Sequence, residues 1–77
     1  MNIIVLGTGC ARCKTLEQLT RKAVADLNLN AEVTKEEDIT KIMSYGIMRT
    51  PGLVVDGKVV LSGRIPSESE LKELLTK

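Results

Sequence analysis

The chain opens on Ile3-Ile4-Val5-Leu6, a β-branched run closed by Gly7-Thr8-Gly9. That pattern predicts a strand buried on both faces. From Ala11 to Asn28 the apolar positions Cys13, Leu16, Leu19, Ala23, Val24 and Leu27 recur at helical spacing. Asn28 and Asn30, both tolerant of left-handed backbone, mark the helix exit. Leu29, Ala31 and Val33 then alternate with Asn30, Glu32 and Thr34, the signature of a strand with one wet face. The charges Lys35-Glu36-Glu37-Asp38 read as a solvated loop, Asp38 doubling as the N-cap of a short helix. In that helix Ile39, Ile42 and Met43 are expected to turn inward, and Gly46 to end it.

Tyr45 is expected to pack against the core at the helix end, with Met43 and Met48 filling gaps. Thr50-Pro51 forces extended backbone ahead of the next strand. Leu53-Val54-Val55, Asp56-Gly57 and Lys58-Val59-Val60-Leu61 form a hairpin pattern with a two-residue type I′ turn. Ser67 with Glu70 makes a capping box ahead of Leu71, Leu74 and Leu75, so the last element is a helix. The element order is β-α-β-α-β-β-α. A strand–helix–strand unit takes a right-handed parallel crossover, and the hairpin adds an antiparallel edge. The expected fold class is therefore α/β, a four-stranded mixed sheet of order 2-1-3-4 with helices on both faces.

At 77 residues the chain supports one small domain, expected to span 1–77. Hydrophobic residues make up 43%, enough for a thin folded core. Lys and Arg total 11 against 10 Asp and Glu, for a net charge of +1, which argues against nucleic acid or an anionic membrane as partner. With one Tyr and neither Phe nor Trp, base-stacking platforms are excluded too. The opening apolar run is too short for a signal peptide, and no stretch approaches the ~20 apolar residues of a membrane span. The expected compartment is the cytoplasm, where thiols are kept reduced.

Cys10 and Cys13 are the only two cysteines. Closing so small a loop restrains the unfolded chain by only about 2 kcal/mol, so a reactive or metal-binding role suits the pair better than a structural staple. Side chains three apart in a regular helix have Cβ atoms about 5–6 Å from each other, and a disulfide needs ~3.8 Å. The pair can therefore bond only if Cys10 sits at or just before the first turn, and Gly9 permits that bend. There Cys10 would face the unpaired N–H groups of the helix start, which favour thiolate. Arg12 and Lys14 add positive charge, partly opposed by Glu17. Cys13 falls on the inward stripe with Leu16 and should be more buried. Cys10 is thus the expected nucleophile and Cys13 the resolving cysteine.

Competing chemistries fit less well. Zinc needs about four protein ligands, and the chain has no His and no second pair of cysteines. Haem attachment would need His where Lys14 stands. Gly7-x-Gly9 imitates the start of a dinucleotide fingerprint, but Arg12 occupies its third small position.

Three landmarks resemble the thioredoxin/glutaredoxin superfamily: Cys10-Ala11-Arg12-Cys13 after the first strand, Tyr45-Gly46-Ile47-Met48-Arg49-Thr50-Pro51, and Ser62-Gly63 after the hairpin. Gly7-Thr8-Gly9-Cys10-Ala11-Arg12-Cys13 and Pro51-Gly52-Leu53-Val54-Val55-Asp56-Gly57 are most similar to the very small thioredoxin-like group called redox-active disulfide protein 2. The resemblance implies a thioredoxin-like fold and a cis peptide bond before Pro51, with Pro51 beside the cysteines. It implies that Thr50 offers its main chain to an extended substrate segment. Arg49 and Gly63 would line the same rim, and Ala11 and Arg12, between the cysteines, would complete it.

Departures from the family are plain: Gly9 replaces the Trp before the first cysteine, and Ala11-Arg12 fills the middle of the motif. The buried acid of thioredoxins has no counterpart in Ile3-Ile4-Val5-Leu6, so the resemblance names no proton acceptor for Cys13.

The function this predicts is a thiol–disulfide oxidoreductase without a cofactor. It would act as a monomer on a disulfide-containing protein or a small thiol or disulfide. Two alternatives use the same fold: a carrier of Cu(I) or arsenite through the two thiolates, and a binding module without turnover. Metallochaperones usually place Met where this chain has Thr8, and their element order differs.

Overall fold

The first strand, β1 (Asn2–Leu6), lies inside the sheet with a partner on each side. It pairs in parallel with β2 (Glu32–Glu36) and antiparallel with β3 (Gly52–Val55). β3 in turn pairs antiparallel with β4 (Lys58–Ser62), so the order is β2-β1-β3-β4, as the hydrophobic pattern predicts. The computed structural model describes residues 1–9 and 11–76.

Alternation along β1 feeds two cores. Ile3 and Val5 join Leu53, Leu61 and the helices α1 (Ala11–Asp26) and α3 (Glu68–Thr76), which contribute Leu16, Ala23, Leu71 and Leu75. Ile4 and Leu6 face the other way, with Val54, Ile47 and Ile42 of α2 (Ile39–Ser44). Helices therefore cover both faces. Inside α1 the buried Thr20 hydroxyl donates to the Leu16 carbonyl at 2.7 Å, so burial leaves it satisfied.

The helix ends follow local chemistry. Asn28 takes φ +52°, Leu29 N–H donates to the Val24 carbonyl at 3.0 Å, and Asn28 N–H donates to Ala25 at 3.1 Å. Those two bonds make a Schellman motif. Asp38 caps α2 by accepting from Thr40 N–H at 2.9 Å. The hairpin turn has φ +50° at Asp56 and +84° at Gly57, the type I′ signature. The Asp56 carboxylate accepts from Asn2 N–H at 2.8 Å, and Asp56 N–H donates to the Asn2 carbonyl at 2.8 Å, clipping the turn to β1.

Four expectations are corrected. β2 starts later than the alternation indicates, and Lys35 and Glu36 are strand residues opposite Val5 and Leu6 instead of loop. An edge strand needs only one backbone neighbour and can send charged side chains to water, so polarity does not exclude it. Leu29 and Ala31 pack on the core ahead of that strand. In α2 only Ile42 is buried, while Ile39 is 54% and Met43 65% exposed. A helix of six residues presents little more than one side chain to a sheet. Met48 is 98% exposed and fills no gap, whereas Tyr45 is half-buried against the second core as expected. Between β3 and β4 the register shifts after Leu53, which pairs with Leu61 while Val54 pairs with Val59, a bulge the alternation did not signal.

At α3 the Ser67 hydroxyl accepts from Glu70 N–H at 3.2 Å, giving half of the predicted capping box. The Glu70 carboxylate turns instead to Arg64, which meets it with both terminal nitrogens. That hydrogen bond first, and the guanidinium charge with it, hold the Glu70 carboxyl below its ordinary value. A depressed carboxyl stabilises the fold above its unfolded-state pKa, and loses that contribution as pH falls through the folded value. Arg64→Ala should therefore melt slightly below wild type at pH 7, with the gap closing in acid and shrinking in high salt. Thermal melts at pH 7 and pH 3 check it.

Candidate active site

The strand register collects four chain ends at one end of the sheet. Leu6 lies opposite both Glu36 and Gly52, and Gly52 lies opposite Ser62. The residues just beyond them therefore converge there: Gly7 to Gly9 after β1, Glu37 after β2, Pro51 before β3 and Gly63 after β4. In a parallel-containing sheet this is the end where helix starts and crossover loops make clefts.

Gly7 N–H donates to the Glu36 carbonyl at 3.0 Å, carrying the β1–β2 ladder one residue further. Gly9 takes φ +90°, a conformation that a side chain strains. After this bend α1 begins at Ala11, and Cys13 sits in its first turn with 5% of its surface exposed. The sulfur is pressed against Gly7: a Cβ on that glycine would lie 2.2 Å from Cys13 Sγ and 2.7 Å from Cys13 Cβ. Only a residue without a side chain lets strand and helix approach so closely. Ala11, Arg12 and Lys14 are exposed around it. Cys10 lies outside the described residues, as does its expected position at the helix mouth.

At the same end of the sheet the Thr50–Pro51 peptide bond is cis, as the resemblance implied. Pro51 is buried and Thr50 half-buried. The Pro51 carbonyl accepts from Gly63 N–H at 2.8 Å. Gly63 has φ +76°, and a Cβ there would lie 3.1 Å from Arg49 Cβ. Arg49, Pro51 and Gly63 are thus brought together on one rim, with Thr50 between the first two in the chain.

A cavity of about 330 Å³ opens beside Cys13, floored by Val5 and the Gly7–Gly9 turn and walled by Lys14, Glu17, Lys35 and Glu37. Glu17 holds Arg21 at 3.0 Å and Lys35 at 3.9 Å, and Lys35 also reaches Glu37 at 3.6 Å. Sequence reasoning noted Glu17 only as a counter-charge and passed over Gly7, Lys35 and Glu37 as site residues. Glu17 could have been found, because it follows Cys13 by four positions and so shares its helix face.

The thioredoxin-domain family model matches residues 1–76. A thioredoxin of Methanothermobacter thermautotrophicus is 41% identical over 76 residues, covering 99% of each chain. One of Methanocaldococcus jannaschii is 38% identical over 73 residues, 95% of this chain and 84% of that protein. A probable thioredoxin of Archaeoglobus fulgidus is 30% identical over 71 residues, 88% and 77% of the two chains. The fold and the junction of β1 with α1 define a thioredoxin-like protein. The chain belongs to the thioredoxin-domain family, a family of thiol–disulfide oxidoreductases.

Proposed function

We propose that the chain is a dithiol–disulfide oxidoreductase in which Cys10 attacks a substrate disulfide and Cys13 resolves the mixed disulfide. The observation that carries this reading is the setting of Cys13. It is buried in the first turn of α1, against Gly7, at the sheet end that also holds Thr50–Pro51. A buried second sulfur beside a short, bent approach to the helix suits an internal partner better than a first contact with substrate.

In the forward direction the Cys10 thiolate attacks one substrate sulfur, and the other leaves as a thiolate. The Cys13 sulfur then attacks Cys10, the substrate's remaining sulfur departs, and an internal disulfide holds the two electrons' worth of oxidation. No cofactor enters, since the two sulfurs carry the electron pair. Thr50 presents main-chain N–H and C=O to an extended segment of the substrate, while Arg49, Gly63, Ala11 and Arg12 form the rim. Gly9 and Lys14 set the environment of the nucleophile through the bend and the local charge. The partners are a disulfide-bearing protein or a small disulfide, met by a monomer in the reducing cytoplasm. No helix among the described residues is long and apolar enough to cross a membrane.

Titration against glutathione and dithiothreitol buffers tests the reading. One reversible two-electron step is expected, with a midpoint between about −270 and −120 mV, the span of proteins with this fold. A protein that never forms the internal disulfide in any buffer would overturn it.

A further inference from the structure

Resolving the mixed disulfide needs the Cys13 sulfur as a thiolate, so a proton on it must have somewhere to go. Cys13 is buried, so bulk solvent does not reach it freely. The cavity beside it offers another route. Its volume, about 330 Å³, holds several water molecules, and its wall carries charged groups from two separate elements.

Of those groups Glu17 stands out. It lies one helical turn beyond Cys13 on the same face of α1, and its side chain is only 18% exposed, unusual for a carboxylate on a helix surface. Arg21 at 3.0 Å on its own helix and Lys35 at 3.9 Å from β2 fix its position, and Lys35 is steadied in turn by Glu37 at 3.6 Å. Lys14 completes the charged wall. Glu37 is the other carboxylate there, but it is 54% exposed and sits on the loop beyond β2 rather than on the helix that carries Cys13.

We propose that Glu17 is the proton acceptor for Cys13, relayed through water in this cavity, and that Lys35 is its positioning residue. The proposal rests on the oxidoreductase reading and deepens it. In the resolving step the Cys13 proton passes to the Glu17 carboxylate, and the Cys13 sulfur bonds to the Cys10 sulfur. The bond from Cys10 to the substrate sulfur breaks, and that sulfur leaves with the electron pair as a thiolate.

An aromatic disulfide whose released thiolate is coloured separates the two steps in one stopped-flow trace. The first burst reports attack by Cys10, and the second reports resolution by Cys13. In Glu17→Gln the first burst should not slow, because losing a charge that opposes Arg12 and Lys14 does not disfavour the Cys10 thiolate. The second should slow about tenfold at pH 7, below the range of direct general-base transfer because water intervenes. The deficit should shrink toward alkaline pH, where solvent base takes over the acceptor's part. Lys35→Met, which keeps the carboxylate and its Arg21 partner but removes the hold from β2, should slow the second burst less. A second burst with wild-type rate and pH profile in Glu17→Gln would overturn the assignment. Should that variant fail to fold, Glu17→Asp serves: a slowed second burst supports the proposal and an unchanged one overturns it. Absence of any first burst in the wild-type protein is a different outcome, and defeats the oxidoreductase reading itself.

Discussion

Cys10→Ser should abolish turnover of a disulfide substrate, while Cys13→Ser should still attack it once and stop as a stable mixed disulfide. The two outcomes differ because the roles are not interchangeable. Cys13 has 5% of its surface exposed and its sulfur lies against Gly7, so a bulky substrate disulfide reaches it poorly. The proposed order therefore gives entry to Cys10. Alkylation under native conditions offers a second measure of the same asymmetry. Iodoacetamide should modify Cys10 at least tenfold faster than Cys13 at pH 7, and unfolding in guanidinium should remove most of the difference. Mass spectrometry after brief labelling reads both sites. Equal labelling in the folded protein, or a Cys10→Ser variant that turns over at the wild-type rate, would contradict the assigned order. A trapped mixed disulfide with Cys13→Ser also supplies the means of capturing a protein substrate by its own cysteine.

What was legible in the chain and what was not divides along a physical line. Features decided by a few neighbouring residues read directly. Asp56-Gly57 selects the type I′ turn because both positions need positive φ, and they have it. Asn28 ends α1 for the same reason. The sheet order followed from the uninterrupted apolar run Ile3-Ile4-Val5-Leu6, which calls for a strand covered on both faces, and from the general right-handedness of strand–helix–strand crossovers. The start of β2 did not read, because Lys35 and Glu36 earn their place through backbone pairing with β1 and not through side-chain burial. Nor did the exposure of Met43 and Met48, since a short helix and a loop leave apolar residues outside when no partner element remains to cover them. The cysteine motif itself was plain, as was the proline segment, whose cis bond the resemblance implied. The charged wall beside Cys13 was hidden, because Glu17 and Lys35 lie 18 positions apart and meet only once β2 has docked on β1.

Gly7→Ala is expected to lower stability substantially, and the sign turns on a contact rather than on backbone freedom. Gly7 lies outside the positive-φ set, so its backbone conformation is open to alanine. On that ground alone the substitution would stabilise by roughly 0.4–1 kcal/mol, by narrowing the unfolded ensemble. The added methyl, however, would stand 2.2 Å from Cys13 Sγ and 2.7 Å from Cys13 Cβ. The second distance is the decisive one. A sulfur can rotate away about χ1, but Cβ is fixed to the helix, so α1 must move outward from β1 and loosen Leu16 from Ile3 and Val5. Overpacking of this kind typically costs about 1–3 kcal/mol, which outweighs the entropic gain. For a domain of this size the loss corresponds to a fall in Tm of roughly 5–20 °C. A double-mutant cycle isolates the cause: Cys13→Ala removes the sulfur but keeps Cβ and should rescue Gly7→Ala only in part, whereas Cys13→Gly removes both atoms and should show the larger coupling. Identical melting of Gly7→Ala and wild type would mean that the strand and helix do not approach as closely as described. Because the same displacement carries Cys13 away from the sheet, the midpoint of the redox titration should shift together with the melting temperature.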